Sequence, residues 1–483
     1  DPSAGGLPRF TALTSPPAPP AAPAVTAPYT PYVAGGAPYG LEYGETNILI
    51  NPQLKTPYNI QYNFGLQHEF PQGYILKLNY MGRLGRRLLA EADASQLIDF
   101  PDNTGGSNQT MAQAFAALTT QLRTLTQYSQ YGQAAQLAAQ PWFEDMMPGL
   151  AAYFNAYYGG SYFANNTQAV DYLTYPYPSR GDFADTIQKL VAYGLAPNVG
   201  MASQYATNSV WTNKGFSDYN GLLVTLHKNA GYGLQFDLNY TWSHSIDNVS
   251  APANFVASAE GFGFICDVAR PRECRGNSDF DVTNMVSGNF IYELPVGRGR
   301  ALAASAPYWL NEAIGGWELS GLPSWQTGYA YTLYSNAFVA GFATDAPATL
   351  IGPPAFLHTR VQHQGHGQAP NIFANGQAAL GALTGPTGFN IGSRNAFRGP
   401  GYFNMDLGLG KTFPIQEGKE SLKFRCDAFN AFNHPNFSTP GIFGGGDITE
   451  SSGVAFGTIT STAIPPGSDQ AARVLQGSLR LEF

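Results

Sequence analysis

Three histidines, His358, His363 and His366, fall close together in the segment HTRVQHQGH. Imidazoles grouped in this way suit a divalent cation, and they are the weak metal candidates of the chain. No HExxH pattern accompanies them, so solvated loop histidines are the competing reading. Asp279 and Asp281 in NSDFDV could offer two carboxylates to calcium, but their spacing fails the EF-hand template, and we read them as closing the outer end of a strand. Cys266 and Cys274 lie eight residues apart in FICDVARPRECRG. They read as a local disulfide of an oxidising compartment, with two free thiols as the alternative. Cys426 sits in an alternating segment and reads as a small apolar residue. Trp142, Phe143, Tyr157 and Tyr158 are ligand-loop candidates whose rings could stack on a sugar or a peptide, or could pack their own loop. No GxSxG elbow, phosphate loop or dinucleotide fingerprint occurs in a strand–helix context. We therefore assign no catalytic residue, no firm metal site and no cofactor, and expect the chain not to be an enzyme.

The composition says which elements could carry such residues. Charged residues make up 12% of the 483, about half of the ~25% usual in soluble domains. Aromatics reach 13%, with 55 Gly and 35 Pro, a mixture that suits many strands joined by turns and long loops. The net charge is −8 and the few Lys and Arg are scattered, so nothing points to nucleic acid. An apolar run of about 18 residues is absent, which excludes a transmembrane helix but not spanning strands of about ten residues. Asp1 opens a Pro/Ala-rich stretch with no basic-then-apolar leader, so the chain is expected to be a mature, processed or trimmed product. Residues 1–57 read as a Pro/Ala-rich extended outer segment.

From Tyr58 onward, strict alternation decides the class. Tyr58, Ile60, Tyr62, Phe64 and Leu66 share one parity, with Asn59, Gln61, Asn63 and Gln67 on the other. Leu234, Phe236, Leu238, Tyr240 and Trp242 likewise oppose Gln235, Asp237, Asn239, Thr241 and Ser243. Leu422, Phe424, Cys426 and Ala428 oppose Ser421, Lys423, Arg425 and Asp427. The pattern predicts about nine strands, near 58–69, 73–84, 219–228, 232–245, 283–294, 315–328, 401–413, 419–430 and 471–483. Their length and the aromatics ending the apolar parity favour a membrane barrel over a soluble sandwich. Lys77, Asp237, Asp406, Lys423, Arg425, Asp427 and Arg480 then face a polar lumen, with Lys423 or Arg425 expected to pair with Asp406.

The links alternate. Short ones run Pro71–Gly73, Asn229–Gly231, Pro295–Ala313 and Pro414–Gly418, and long ones span 85–218, 246–282, 329–400 and 431–470. Membrane barrels have short periplasmic turns and long extracellular loops, so a periplasmic C-terminus sorts every link to its proper side. The expected fold is all-β, an antiparallel transmembrane barrel region over 58–483. In the first long link, Met111, Phe115, Leu118, Leu122 and Leu125 recur at helical spacing, followed by QPWFEDMMPG, so that loop is expected to be partly helical.

The segments NPQLKTPYNIQYNFGLQHEF, YNGLLVTLHKNAGYGLQFDLNYTWSHSIDN, SDFDVTNMVSGNFIYELPVGRG, GGWELSGLPSWQTG, RNAFRGPGYFNMDLGLGKTFPI and LKFRCDAFNAFNHPNF together resemble the C-terminal barrel of TonB-dependent outer-membrane receptors. The similarity is to the Oar-like group, whose members carry a carboxypeptidase-regulatory-like domain. It implies uptake of a large solute such as an iron chelate, peptide or glycan through the outer membrane of a Gram-negative-type bacterium, with outer loops binding the ligand. It also implies that Phe483 is the C-terminal aromatic read by the barrel-insertion machinery. In such receptors a plug, an energy-coupling segment and further strands precede these motifs, and about nine strands match only the last part of a 22-strand barrel. The expected partners are thus outer-membrane lipid, the insertion machinery, and either the missing plug and strands or further copies of the chain. The alternative is a structural or surface-assembly protein, forming tubes or fibres from plug-free receptor-type strands, in an extracellular assembly.

Overall fold

A computed structural model describes residues 47–93, 96–102, 104, 106–125, 136–193, 195, 208–231, 233–250, 264–340, 345–416, 420–440, 455–463 and 471–483. Most of the expected outer segment 1–57 lies outside the described residues. Nine strands form one antiparallel meander: β1 Tyr58–Phe70, β2 Tyr74–Asp93, β3 Asn208–Gly231, β4 Leu234–Asp247, β5 Asn284–Glu293, β6 Trp317–Gln326, β7 Tyr402–Gln416, β8 Glu420–Phe429 and β9 Val474–Glu482. Each pairs with its neighbours in chain order, and β1 and β9 stand at the two ends of the ladder. The chain is thus mostly antiparallel sheet, and no described helix is long and apolar enough to cross a membrane.

Register shows why the alternation was legible. Opposed residues of adjacent strands share a face, because side chains alternate across each strand. One transverse row reads Leu66, Leu78, Val224, Tyr240, Val286, Trp325 and Phe403 across β1 to β7. The next row reads Gln67, Lys77, Thr225, Asn239, Ser287, Ser324 and Asn404. One face is therefore apolar and the other polar across seven strands, and a slip of one residue in any strand would break both rows.

The β1–β2 turn is tight, with Gln72 and Gly73 both at positive φ, a conformation that glycine adopts without strain. The third turn, between β5 and β6, carries the short helix Tyr308–Ile314.

Two strands outrun the expectation. β2 continues to Asp93 and β3 begins at Asn208, inside what was read as the link 85–218. Register shifts between Gly85 and Ala90 break the period-2 pattern. Beyond them Ala90 to Asp93 are buried on both faces. Short parallel strands pair with the edges of this part of the ladder, Asn47–Ile50 with β3 and Phe264–Ile265 with β2.

Six helices occupy the described part of the first long link: α1 Met111–Thr124, α2 Pro141–Met146, α3 Leu150–Tyr158, α4 Asn166–Thr174, α5 Tyr177–Arg180 and α6 Phe183–Ala192. Thr110 caps α1 through a reciprocal box with Gln113, satisfying two otherwise orphaned donors. Met111, Phe115, Leu118 and Leu122 then point into a core with Trp142, Phe143, Phe183 and Ile187. Phe115 meets Phe183 and Phe143 at ring separations of 4.5 and 5.0 Å. Val339 and Ala346 of the third long link join that core. A second core unites Leu333, Ile372, Phe373 and Leu383 of the third link with Phe456 and Ile459 of the fourth.

Candidate functional site

The long-link ends of β4, β5 and β7 converge on a polar clamp. Arg394 is its centre, four residues before Arg398 and shortly before the start of β7. Its Nε donates to Cys274 O at 3.1 Å, and Nη1 donates to Asp279 Oδ1 at 3.2 Å and Ser250 Oγ at 3.3 Å. Nη2 donates to Asp247 O at 2.9 Å and also to the Asp247 carboxylate. Asp247 is the last residue of β4, and its side chain is 3% exposed, against 16% for Arg394. Arg398 pairs in the same way with Asp281, whose side chain is buried, and donates to Asp281 O at 2.7 Å. Asn395, held at positive φ, bonds Asn277 O at 2.7 Å, Asp279 Oδ1 at 2.6 Å and Thr332 through both its backbone and its side chain. Forked guanidinium geometry fits this work, since each arginine reaches a carboxylate and a carbonyl at once.

The clamp seats the third long link on the strand ends, and Arg123 of α1 ties the helical insert to the same link. Its guanidinium donates to Ser179 O, Thr387 Oγ1 and Pro386 O at 2.7–3.0 Å. Together these contacts make the long links a packed cap. Beside the clamp lies a cavity of about 30 Å³ lined by Cys266, Cys274, Tyr334, Asp345 and Arg394. That is room for a water, far below the ~300 Å³ of a small-molecule pocket. Burial pushes the Tyr334 phenol up to about 12, so it stays protonated there. Cys266 and Cys274 are joined, with Cα atoms 5.7 Å apart, and tie off the loop that supplies the Cys274 carbonyl to Arg394.

Helix α3 and the residues after it offer an open aromatic surface. Tyr153, Tyr157, Tyr158 and Tyr162 on and just after α3 are 55, 70, 45 and 61% exposed. Tyr153 stacks on Tyr157 at 6.5 Å, Tyr157 meets Tyr158 edge-on at 4.9 Å, and the Tyr158 and Tyr172 hydroxyls bond at 2.6 Å. No charged residue occurs between Asp145 and Asp171. The surface can therefore stack on flat or ring-shaped ligand faces and offer neutral hydroxyls at their edges.

The family model for the outer membrane beta barrel domain matches residues 5–476. This chain belongs to that family. The outer-membrane barrel domain is also similar to two solved structures. One is the outer membrane transporter YddB from Escherichia coli, at 10% identity and a TM-score of 0.34, covering 91% of this chain and 34% of that one. The other is a mutant of the ferric enterobactin receptor (PfeA) from Pseudomonas aeruginosa, at 9% identity and a TM-score of 0.31, covering 89% and 31%. The chain spans about a third of the length of either structure. No curated protein sequence matches it.

Within this outer-membrane barrel domain the aromatic candidates divide. Trp142 and Phe143 are 0% exposed in the insert's core, so they pack the loop and cannot meet a ligand, whereas Tyr157 and Tyr158 are open. The reason is helical phase: α2 is short, and its ring pair faces Phe115. His358, His363 and His366 are exposed, and His363 lies against Phe437 at 6.3 Å. Among the described residues no group of three or more metal-ligating side chains is placed to hold an ion. The expected pairing of Lys423 or Arg425 with Asp406 does not form. Lys423 bonds Glu482 at 2.7 Å and Arg425 bonds Asp427 at 2.9 Å, while Asp406 accepts from Asn404 Nδ2 and the Asn430 amide. Register explains it: Lys423 and Arg425 stand opposite Thr412 and Gly410 on β7, farther along that strand than Asp406.

Sequence reasoning missed Arg394, Arg398 and Asp247. A signal was present, because RNAFR just before β7 and NSDFD just before β5 carry opposite charges at matching strand ends.

Proposed function

We propose that this chain forms wall strands and outer cap of a TonB-dependent, Oar-like transporter or receptor that takes up a large, uncharged solute. The observation that carries the solute reading is the exposed, charge-free tyrosine surface on the cap. The polar row along the other face of the wall supports a wetted interior, and the apolar row supports contact with outer-membrane lipid. In this reading the long links are extracellular, the short turns and C-terminus are periplasmic, and further strands and a plug complete the barrel. Phe483, 96% exposed, is left for the insertion machinery to read.

The test uses the full chain in outer-membrane vesicles and a Tyr157→Ser, Tyr158→Ser, Tyr162→Ser variant. The probes are fluorescent neutral oligosaccharides and uncharged peptides of matched size. Aromatic contacts worth roughly 0.5–1.5 kcal/mol each predict at least about a tenfold loss of binding in the triple variant. Equal binding by the two proteins, or binding by neither, would sink the solute reading. The ladder's end strands β1 and β9 favour a second reading, assembly of copies edge to edge. A native outer-membrane product of 51.8 kDa in large extracellular assemblies would select it over transport.

A further inference from the structure

The turn between β5 and β6 is the longest of the short links, and its helix Tyr308–Ile314 buries none of its residues. Tyr308 and Trp309 are 69 and 73% exposed, and nearby Leu302 is exposed as well. An exposed indole, phenol and leucine at one end of a water-facing turn would be an aggregation liability. What fixes the helix shows where it lies.

Lys411 of β7 donates through Nζ to Ala313 O at 3.3 Å and to Glu312 O, so its ammonium caps the helix C-terminus. Trp317, the first residue of β6, donates its indole N–H to Ala313 O at 2.9 Å. Lys411 stands opposite Trp317 on β6 and Phe424 on β8. Its parity is that of Phe403, Leu407 and Leu409, the apolar face of the wall. The helix is therefore fastened to the lipid-facing side of the sheet.

The level along the wall is marked independently. Lys411 lies 4.7 Å from the centre of the Phe413 ring and 5.4 Å from that of Trp317. On the same face and at the same end of the strands, Lys228 of β3 lies 4.4 Å over Tyr74 and reaches Gln72 O. Its neighbour on β4 is Phe236. Two lysines sheathed by aromatics, both turned toward the strand ends, are the signature of side chains snorkelling at a membrane–water boundary. Arg298 and Arg300 of the same turn are exposed, and Arg300 also meets Glu293 at 3.3 Å.

We infer that Tyr308–Ile314 is an interfacial foot, lying in the headgroup layer of the turn-side leaflet with Tyr308 and Trp309 dipped toward the acyl chains. Its occupant is phospholipid. The apolar ring bodies match the acyl boundary, their polar edges match the glycerol layer, and the flanking arginines match phosphate. The foot works whatever solute the barrel carries.

The experiment reconstitutes the full chain, wild type and Trp309→Phe, in phospholipid vesicles, with folding checked by heat-modifiable gel mobility. The difference in emission between the two isolates Trp309 from the other five tryptophans. Quenching is measured with phospholipids brominated near the top of the acyl chain and, separately, with aqueous iodide. The foot predicts fractional quenching by bromolipid several-fold larger than by iodide. Strong iodide quenching with little effect of bromolipid would overturn it, placing the turn in water. Insensitivity to both quenchers would also overturn it, because a protein surface would then cover Trp309.

Discussion

Replacing Arg394 by methionine keeps the hydrocarbon stem but removes the guanidinium donors that it gives to Asp247, Asp279, Ser250 and the Cys274 carbonyl. The bond to Asp279 contributes little, since that carboxylate is 45% exposed. Asp247 is different. Its side chain is 3% exposed, and among the described residues Ser250 Oγ, at 2.9 and 3.2 Å, is the donor left to it. Removing one partner of a buried pair costs about 3–5 kcal/mol, mostly because the surviving charge is uncompensated. At 1.4 kcal/mol per factor of ten, the local opening equilibrium of the clamp rises roughly 10²- to 10³-fold or more. The assay is amide hydrogen exchange of the vesicle-bound chain, read on peptides covering 245–250, 274–281 and 392–398, with β7–β9 peptides as the internal reference. The Arg394→Met, Asp247→Asn double variant removes both charges and should recover most of the loss, because the penalty belongs to the orphaned carboxylate. An increase below about threefold in the single variant, or a double variant no better protected, would refute the buried-pair argument.

Two further outcomes follow from the insert. Asp182 immediately precedes α6 and accepts from the Asp185 amide at 3.1 Å. Burial, and then the neighbouring Asp185, hold its carboxyl well above the usual 3.8. A folded-state value raised above the unfolded one means stability that is full below 3.8 and lost as pH climbs through the raised value. Exchange protection of 111–192, corrected for intrinsic rate, should therefore fall as pH rises above about 4. Asp182→Asn should flatten that dependence, and an unchanged slope would remove Asp182 as its source. Phe115→Ala deletes a fully buried ring between Phe143 and Phe183, a loss of about 3–5 kcal/mol. Limited proteolysis should then cut the insert first while heat-modifiable mobility persists; simultaneous loss of both would show that insert and strand ladder unfold together.

The strands were legible from the residues alone because each separates two unlike media. Where one face is apolar and the other polar, the period of two must appear in the chain, as in β1, β4, β8 and β9. The capped helix α1 was legible for the matching reason, a 3.6-residue stripe facing one core. The pattern disappears wherever both sides of a strand are covered. Ala90 to Asp93 are all buried and follow register shifts in the β2–β3 ladder, so their sequence carries no alternation to read. Exposure of the aromatics was equally hidden, since Trp142 on α2 faces the insert's core while Tyr157 on α3 faces away from it. The clamp lay furthest from view. Asp247 and Arg394 are 147 positions apart, and no local rule relates residues at that distance. Only the meeting of strand ends under the folded third link places one carboxylate where a single guanidinium must neutralise it.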